Sequence, residues 1–331
     1  VLYCPQCTLA QLSIIVPPEI LYKNYPYTTS RSVTMQRHFE SLMSYIRSEQ
    51  QPQSVIEIGS NDGYFLEYVK AQGGDYVCGI DPSENLSEVA RANRIQTICG
   101  MFDNETARMA AACVPTPDVI VARHVFGHVD DLKDFVKALD TIAGSNTLIL
   151  IEVPWAKRLL ERCEFDTIYF EHLSYFTIKS IVALLDGTPF RLHKIHEFPV
   201  HGGALGIMIR RRDHESEPHQ SVRNMISMED ITKMDWEVMA ECSARVVEKL
   251  VSLVRTAKVA GKTVAGYGAS AKMTVLMNAC KFTRKDVRFV TDTTPMKQGC
   301  CVPGTDIQVV DPGMLLRELP DFCILGCWNF Q

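Results

Sequence analysis

The chain has 331 residues, 46% of them hydrophobic, and a formal net charge of −5. That much apolar material excludes a disordered chain and predicts two or more domains. Both signs of charge are mixed throughout, with no basic stripe to hold a phosphate backbone, so nucleic acid is a poor partner. No apolar run approaches the roughly 20 residues of a membrane-spanning helix, and the first residues lack a signal-peptide layout, so the expectation is a soluble cytoplasmic protein. Most of the twelve cysteines sit in apolar runs, where reduced thiols act as small hydrophobes.

Cys4-Pro5-Gln6-Cys7 opens the chain with the spacing of half a structural zinc site, Cys4 and Cys7 being the candidate ligands. No second pair follows in this segment, and free thiols are the competing reading. The stretch from Tyr22 to His38 is rich in phenols and hydroxyls and leads into a helix near Ser32. It reads either as a lid supplying Tyr27 or as a surface loop.

Strand-like runs then alternate with amphipathic ones: Ser54 to Ile58, Tyr76 to Ile80, Val119 to Ala122 and Thr147 to Val153 predict parallel strands with helical crossovers. Phe190 to Phe198 and Ala204 to Ile209 have no room for a helix between them and predict an antiparallel hairpin. His214 to Pro218 reads as a linker, Met225 to Val259 as one or two helices. Strand Thr263 to Ala265, helix Lys272 to Ala279, strand Arg288 to Thr291 and strand Phe322 to Gly326 make a second α/β region. The expected boundaries are 1–30, 31–213, a helical linker over 214–260, and 261–331.

Three places carry chemistry. In Val55-Ile56-Glu57-Ile58-Gly59-Ser60-Asn61-Asp62-Gly63 an apolar strand runs into a glycine turn at its carboxyl end, where open α/β sheets bind ligands. Gly59 and Gly63 let a ligand lie on the backbone; Ser60, Asn61 and Asp62 suit a zwitterionic amino-acid group. The spacing is not that of a pyrophosphate-binding turn. Asp81, before Pro82 and 22 residues beyond Gly59, is placed to accept from ribose hydroxyls; Phe102 lies near an adenine position, and Arg123 and His124 leave the fourth strand beside the donor.

The second place is Asp166-Thr167-Ile168-Tyr169-Phe170-Glu171-His172, where a carboxylate, an imidazole and a phenol crowd together. Alkylating carbon needs a base to remove a proton beside a carbonyl and a donor for the enolate oxygen. His172 is the leading base, with Glu171 as its orienting partner or rival; His128 and Tyr169 are candidate enolate stabilisers. The third is Gly266-Tyr267-Gly268-Ala269-Ser270-Ala271-Lys272, a strand-to-helix turn that favours an anion such as a diphosphate, with Lys272 adding charge.

Together these motifs resemble the sugar C-methyltransferase family, which methylates C3 of nucleotide-linked 4-keto-deoxyhexoses in natural-product biosynthesis. The resemblance rests on Cys4 and Cys7, Tyr25-Pro26-Tyr27, Ser32 and His38, Ile58 to Gly63, Asp166 to Phe176, His201-Gly202-Gly203, Gly266 to Lys272, and Asp292 with Lys297-Gln298-Gly299. It implies an N-terminal zinc module, of which this chain carries the second cysteine pair. It also implies a class I methyltransferase Rossmann-like domain binding S-adenosylmethionine, its parallel sheet ending in an antiparallel hairpin, and a smaller C-terminal Rossmann-like domain for the sugar nucleotide. His201, Gly202, Gly203, Tyr267, Gly268, Ala269, Lys272, Asp292 and Lys297 are the implied acceptor residues. Tyr169, Glu171 and His172 match the family's Tyr-x-Glu-His motif, the His being its favoured base. A methyltransferase of a non-sugar intermediate and a nicotinamide-dependent oxidoreductase remain as alternatives.

Overall fold

The computed structural model describes residues 1–31, 33–114, 116–200 and 202–328, and the chain divides into two compact units. The first comprises 1–157 and 170–231; the second comprises 158–169 and 232–331.

Among its described residues the first unit holds ten strands: β1 (Leu2–Tyr3), β2 (Ala10–Gln11), β3 (Ser54–Ile58), β4 (Tyr76–Asp81), β5 (Gln96–Cys99), β6 (Val119–Arg123), β7 (Leu148–Pro154), β8 (Ser174–Tyr175), β9 (Phe190–Phe198) and β10 (Ala204–Arg211). Seven form one sheet in the order β5-β4-β3-β6-β7-β10-β9. The first five are parallel; β10 runs antiparallel to both β7 and β9. The hairpin expected after Phe190 is therefore present. This strand order, with its antiparallel end, is that of the class I methyltransferase fold.

Both faces of the sheet are covered, and the strands alternate accordingly. Val55, Val119, Val121, Leu148 and Leu150 pack with Phe39, Leu42, Met43 and Ile46 of helix Val33–Arg47. Ile56, Ile58, Ile120, Ile149 and Ile151 face the opposite core with Phe135 and Leu139 of helix Leu132–Ile142. Each fully buried side chain of this size contributes about 1.5–3 kcal/mol. A small antiparallel sheet, β1-β2-β8, joins the start of the chain to the segment after His172.

The second unit carries β11 (Val264–Tyr267), β12 (Phe289–Thr291), β13 (Gln308–Val310) and β14 (Phe322–Leu325) in the order β13-β12-β11-β14, all parallel. Its core gathers Met273 and Met277 of helix Ala271–Ala279 with Val254 of the long helix Lys233–Val259. It is the smaller Rossmann-like domain.

The unit boundaries differ from those expected, for packing reasons. The first 30 residues belong with the first unit through β2 and β8. Helix Gln220–Ser227 buries Val222 in the same core, and the Glu229 carboxylate accepts from Trp155 Nε1 at 2.6 Å. Helix Lys233–Val259 is no linker, since it helps form the second core. Residues 158–169 belong to the second unit because Trp328 Nε1 donates to Asp166 (2.7 Å) and Lys272 donates to Thr167. Among the described residues no helix is long and apolar enough to cross a membrane.

Candidate functional site

Strand β3 delivers the glycine turn. Gly59 (φ 68°), Asn61 (φ 53°) and Gly63 (φ 78°) all lie in the left-handed region. At Gly59 a Cβ would stand 2.0 Å from Val125 Cγ2, so the turn approaches the chain leaving β6 as only glycine allows. Asp81 ends the neighbouring strand with its carboxylate clamped by backbone, accepting from the Asn61 N–H (2.7 Å) and the Ser83 N–H (2.8 Å). Burial pushes this carboxyl up, and those two N–H groups oppose the shift. Each oxygen retains a lone pair for a further donor.

The segment before helix Val33–Arg47 lies against this turn. The Thr29 N–H donates to Asn61 Oδ1 (2.9 Å), the Ser30 N–H to Asp62 Oδ2 (3.1 Å), and Asn61 Nδ2 to the Tyr27 carbonyl (3.1 Å). Ser60 Oγ and Asp62 Oδ1 are buried without a hydrogen-bond partner. Such orphaned polar atoms are costly unless a ligand satisfies them. A hydroxyl and a carboxylate oxygen suit the ammonium and carboxylate of an amino-acid moiety, so the residues present fit S-adenosylmethionine.

The other residues expected around the donor are placed as follows. Pro82 follows Asp81 into helix Glu84–Ala92, and the half-buried Phe102 packs edge-on against Phe135 at 4.8 Å. Arg123 has a different role. Its side chain is buried, donates to Glu57 Oε1 through Nε (3.0 Å), and lies between the rings of Phe39 and Phe65, 4.7 and 4.6 Å from their centroids. The guanidinium thus belongs to the scaffold beneath the turn. His124 (φ 53°) turns its Nε2 to Glu152 Oε1 at 3.0 Å, and His38 Nε2 reaches the same carboxylate at 2.9 Å. Glu57, Glu152 and this role for His38 were not anticipated, because each is a lone residue whose partner lies far along the chain.

Of the residues expected to react, Glu171, His172 and His128 lie in the first unit. Between β7 and this cluster the chain makes helix Ala156–Glu161 and a 3-10 turn, Phe165–Thr167, so the motif does not follow the strand directly. The His172 and His128 rings lie 5.2 Å apart. Tyr22 stacks on His128 at 5.9 Å, and Tyr25 Oη donates to Glu171 Oε2 at 2.7 Å. Burial, with the charge of His124, holds His128 down at about 4, so it is neutral near pH 7 and can donate one ring N–H. Of the tyrosines in the N-terminal stretch, Tyr25 touches the cluster through its hydroxyl, while Tyr27 contributes its carbonyl to the donor turn and is 39% exposed. Tyr169 falls in the second unit.

In the second unit Gly268 lies beside β12, and Ala269, Asp292 and Lys297 come together. Gly268 (φ 85°) follows β11, and its N–H donates to the Thr291 carbonyl at 2.7 Å. Ser270 caps helix Ala271–Ala279 by accepting from the Met273 N–H. Lys297 Nζ donates to the Ala269 carbonyl (2.9 Å) and lies 3.4 Å from Asp292. Lys272 is more committed than expected: it donates to Thr167, lies 3.8 Å from Asp166, and sits 4.8 Å over the Trp328 ring. Its charge is already met by a carboxylate. Gly202 and Gly203 have positive φ in the β9–β10 connection, and His201 lies outside the described residues.

Cys4 and Cys7 share a tight turn closed by the Thr8 N–H to the Cys4 carbonyl at 2.8 Å. Among the described residues no group of three or more His, Cys, Asp or Glu could hold a metal ion, so the residues described do not fit a bound zinc.

Comparison with known proteins agrees with the fold. A C-methyltransferase C-terminal domain family matches residues 199–331, and a methyltransferase domain family matches residues 33–195. The C-methyltransferase NovU of Streptomyces niveus is 31% identical over 339 aligned residues, spanning 100% of this chain and 80% of its own length. The solved plantazolicin methyltransferase BpumL, in complex with S-adenosylhomocysteine (SAH), is 17% identical with a TM-score of 0.43, covering 55% of this chain and 87% of its own. Magnesium protoporphyrin IX methyltransferase (ChlM) from Synechocystis, also with bound SAH, is 14% identical with a TM-score of 0.42, covering 54% of this chain and 84% of its own. The fold assignment rests on the strand order rather than on these two distant structures. The full-length match to NovU and the two domain families show that the chain belongs to the C-methyltransferase family and is an S-adenosylmethionine-dependent methyltransferase.

Proposed function

We propose that the chain methylates carbon next to the ketone of a nucleotide-linked keto-deoxysugar, with His172 as the base and Glu171 as its partner. One observation carries this reading. The stretch 25–30 hydrogen-bonds Glu171 at one end, through Tyr25, and Asn61 and Asp62 at the other, through Thr29 and Ser30. It therefore joins the candidate base cluster to the candidate donor turn.

In this reading Gly59 to Gly63 and Asp81 bind the donor, which when bound supplies an electrophilic methyl on sulfur. His172 takes the proton from the carbon beside the ketone, and the electron pair moves onto the carbonyl oxygen. His128, neutral near pH 7, donates a hydrogen bond to that oxygen, stabilising charge where it develops. A donor held on that turn would supply the methyl that this carbon takes up, the sulfur keeping the electron pair of the bond it gives up. The Tyr25 hydroxyl holds the carboxylate of Glu171, the residue before His172.

The test is to incubate the protein with a nucleotide-linked 4-keto-deoxyhexose in deuterated water without donor. Deuterium should enter at the carbon next to the ketone, and a labelled methyl should join that carbon once donor is added. Neither event occurring, or methyl appearing on oxygen, would sink the reading.

A second reading, a methyltransferase of a non-sugar intermediate, is favoured by the pairing of Lys272 with Asp166. The two readings separate at Lys272→Ala. A nucleotide-linked acceptor predicts a rise in acceptor KM of about tenfold, the order lost with one charged hydrogen bond. An unchanged KM, with no nucleoside diphosphate bound in a calorimetric titration, would leave the second reading.

A further inference from the structure

The stretch that joins the base cluster to the donor turn is also held from a third side. Asn85, the half-buried second residue of helix Glu84–Ala92, pairs its side-chain amide with both backbone polar groups of Tyr25. The Tyr25 N–H donates to Asn85 Oδ1 at 3.1 Å, and Asn85 Nδ2 donates to the Tyr25 carbonyl at 2.9 Å. An amide carries an acceptor and donors side by side, so it serves a single residue as a neighbouring strand would. One residue earlier on the helix, the Glu84 N–H donates to the Lys23 carbonyl at 3.1 Å. The Lys23–Glu84 ion pair, 3.6 Å long, is exposed on both sides and adds little. The amide and the backbone therefore make most of the grip.

The gripped residues lie between two phenols that meet the base cluster. Tyr22, which ends helix Pro18–Tyr22, stacks on His128, and the Tyr25 hydroxyl donates to Glu171 Oε2 at 2.7 Å. A phenol hydroxyl stands at the far end of a long side chain. A small rotation of the Tyr25 backbone would carry it beyond the narrow range of distance and angle that a hydrogen bond tolerates. The support is itself anchored. Ser87 Oγ, one turn into the same helix, donates to the Asp81 carbonyl at 3.2 Å, and the Ser83 N–H before the helix donates to the Asp81 carboxylate. The end of β4 and the backbone of Tyr25 thus share one rigid element.

We infer that Asn85 is a positioning residue for proton abstraction: by fixing the backbone of Tyr25, it sets where the Tyr25 hydroxyl holds the carboxylate of Glu171. This rests on the reading of His172 as the base and Glu171 as its partner. Asn85 acts through Tyr25 and not on the acceptor. Its loss should therefore slow the proton step and leave donor binding as it was, even though its helix begins beside Asp81.

The experiment is a double-mutant cycle on Asn85 and Tyr25 with two readouts. One is kcat for methyl transfer; the other is the rate at which a nucleotide-linked 4-keto-deoxyhexose takes up deuterium without donor. Asn85→Ala should lower both by about 10- to 100-fold, the order lost when a reacting group is misplaced by about 1 Å, with Kd for SAH within about twofold of wild type. Tyr25→Phe should lower them at least as much. The double variant should then match Tyr25→Phe within about twofold, whereas two independent losses would multiply. A residue that only steadies the fold would lower the melting temperature and give multiplying losses. If Asn85→Ala does not fold, Asn85→Asp, which keeps the acceptor and loses the donor, takes its place in the cycle. Multiplying losses, or an Asn85 variant with kcat within about twofold of wild type, would overturn the proposal. Intact deuterium uptake with weakened SAH binding would overturn it too, by placing Asn85 on the donor side. A wild type that takes up no deuterium would refute the reaction reading and this proposal with it, so the two failures are distinct.

Discussion

His172→Ala is expected to lower turnover by about 10²–10⁴-fold, the usual contribution of one acid–base residue, while Kd for SAH stays within about twofold. The division between the two readouts follows from where the groups lie. The donor turn is organised by Gly59, Asn61, Asp62 and Asp81, none of which needs the imidazole for its conformation. His172 instead lies with His128 at 5.2 Å and follows Glu171, whose carboxylate already accepts from Tyr25. In the proposed reading that phenol favours His172 as the base and Glu171 as its partner. A carboxylate receiving a hydrogen bond is a weaker base and a better-fixed partner, so Glu171→Gln should cost less than His172→Ala. Single-turnover transfer of a labelled methyl group, with calorimetry of SAH, measures both quantities. Near-normal turnover in His172→Ala would remove it from the mechanism, and a matching loss of SAH affinity would make it a donor-binding residue.

What could be read from the sequence was what local chemistry dictates. The turn at Gly59 was legible because only glycine tolerates the backbone and the close approach of Val125. The hairpin of β9 and β10 was legible because six or fewer residues cannot hold a crossover helix. The two-residue strands β1, β2 and β8 were not, since their pairing is set by packing rather than by any pattern of their own. Nor was the assignment of residues 158–169 to the second unit, which depends on Asp166 meeting Trp328, 162 residues away. The same limit hid the buried charges. Arg123 looked like a residue leaving a strand toward a ligand, but Glu57, 66 residues earlier, takes it. Sequence places charges along a strand, while their partners are chosen by the neighbouring strand.

That buried pair gives the largest expected effect on stability. Arg123→Met should destabilise the protein by about 3–5 kcal/mol at pH 8, the cost of leaving one partner of a buried ion pair uncompensated. Methionine preserves packing between Phe39 and Phe65, so the loss is chiefly electrostatic. Its pH dependence separates it from a cavity effect. In the wild type burial pushes the Glu57 carboxyl up, and Arg123 opposes that shift. Without the guanidinium the carboxyl moves higher still, so the folded state holds a proton that the unfolded state gives up. The stabilising contribution of that proton is fully present below the unfolded value and is lost as pH rises through the folded one. The deficit relative to wild type should therefore be smaller at pH 5.5 than at pH 8 when measured by urea denaturation. Equal deficits at the two pH values would refute an electrostatic origin. Adding Glu57→Gln to Arg123→Met should recover much of the loss at pH 8, because neither member of the pair is then left charged without the other. Since Glu57 lies two residues before Gly59 on β3, the double variant also asks whether the ion pair orients the donor turn or only supports it: recovered stability with weakened SAH binding would assign it to orientation.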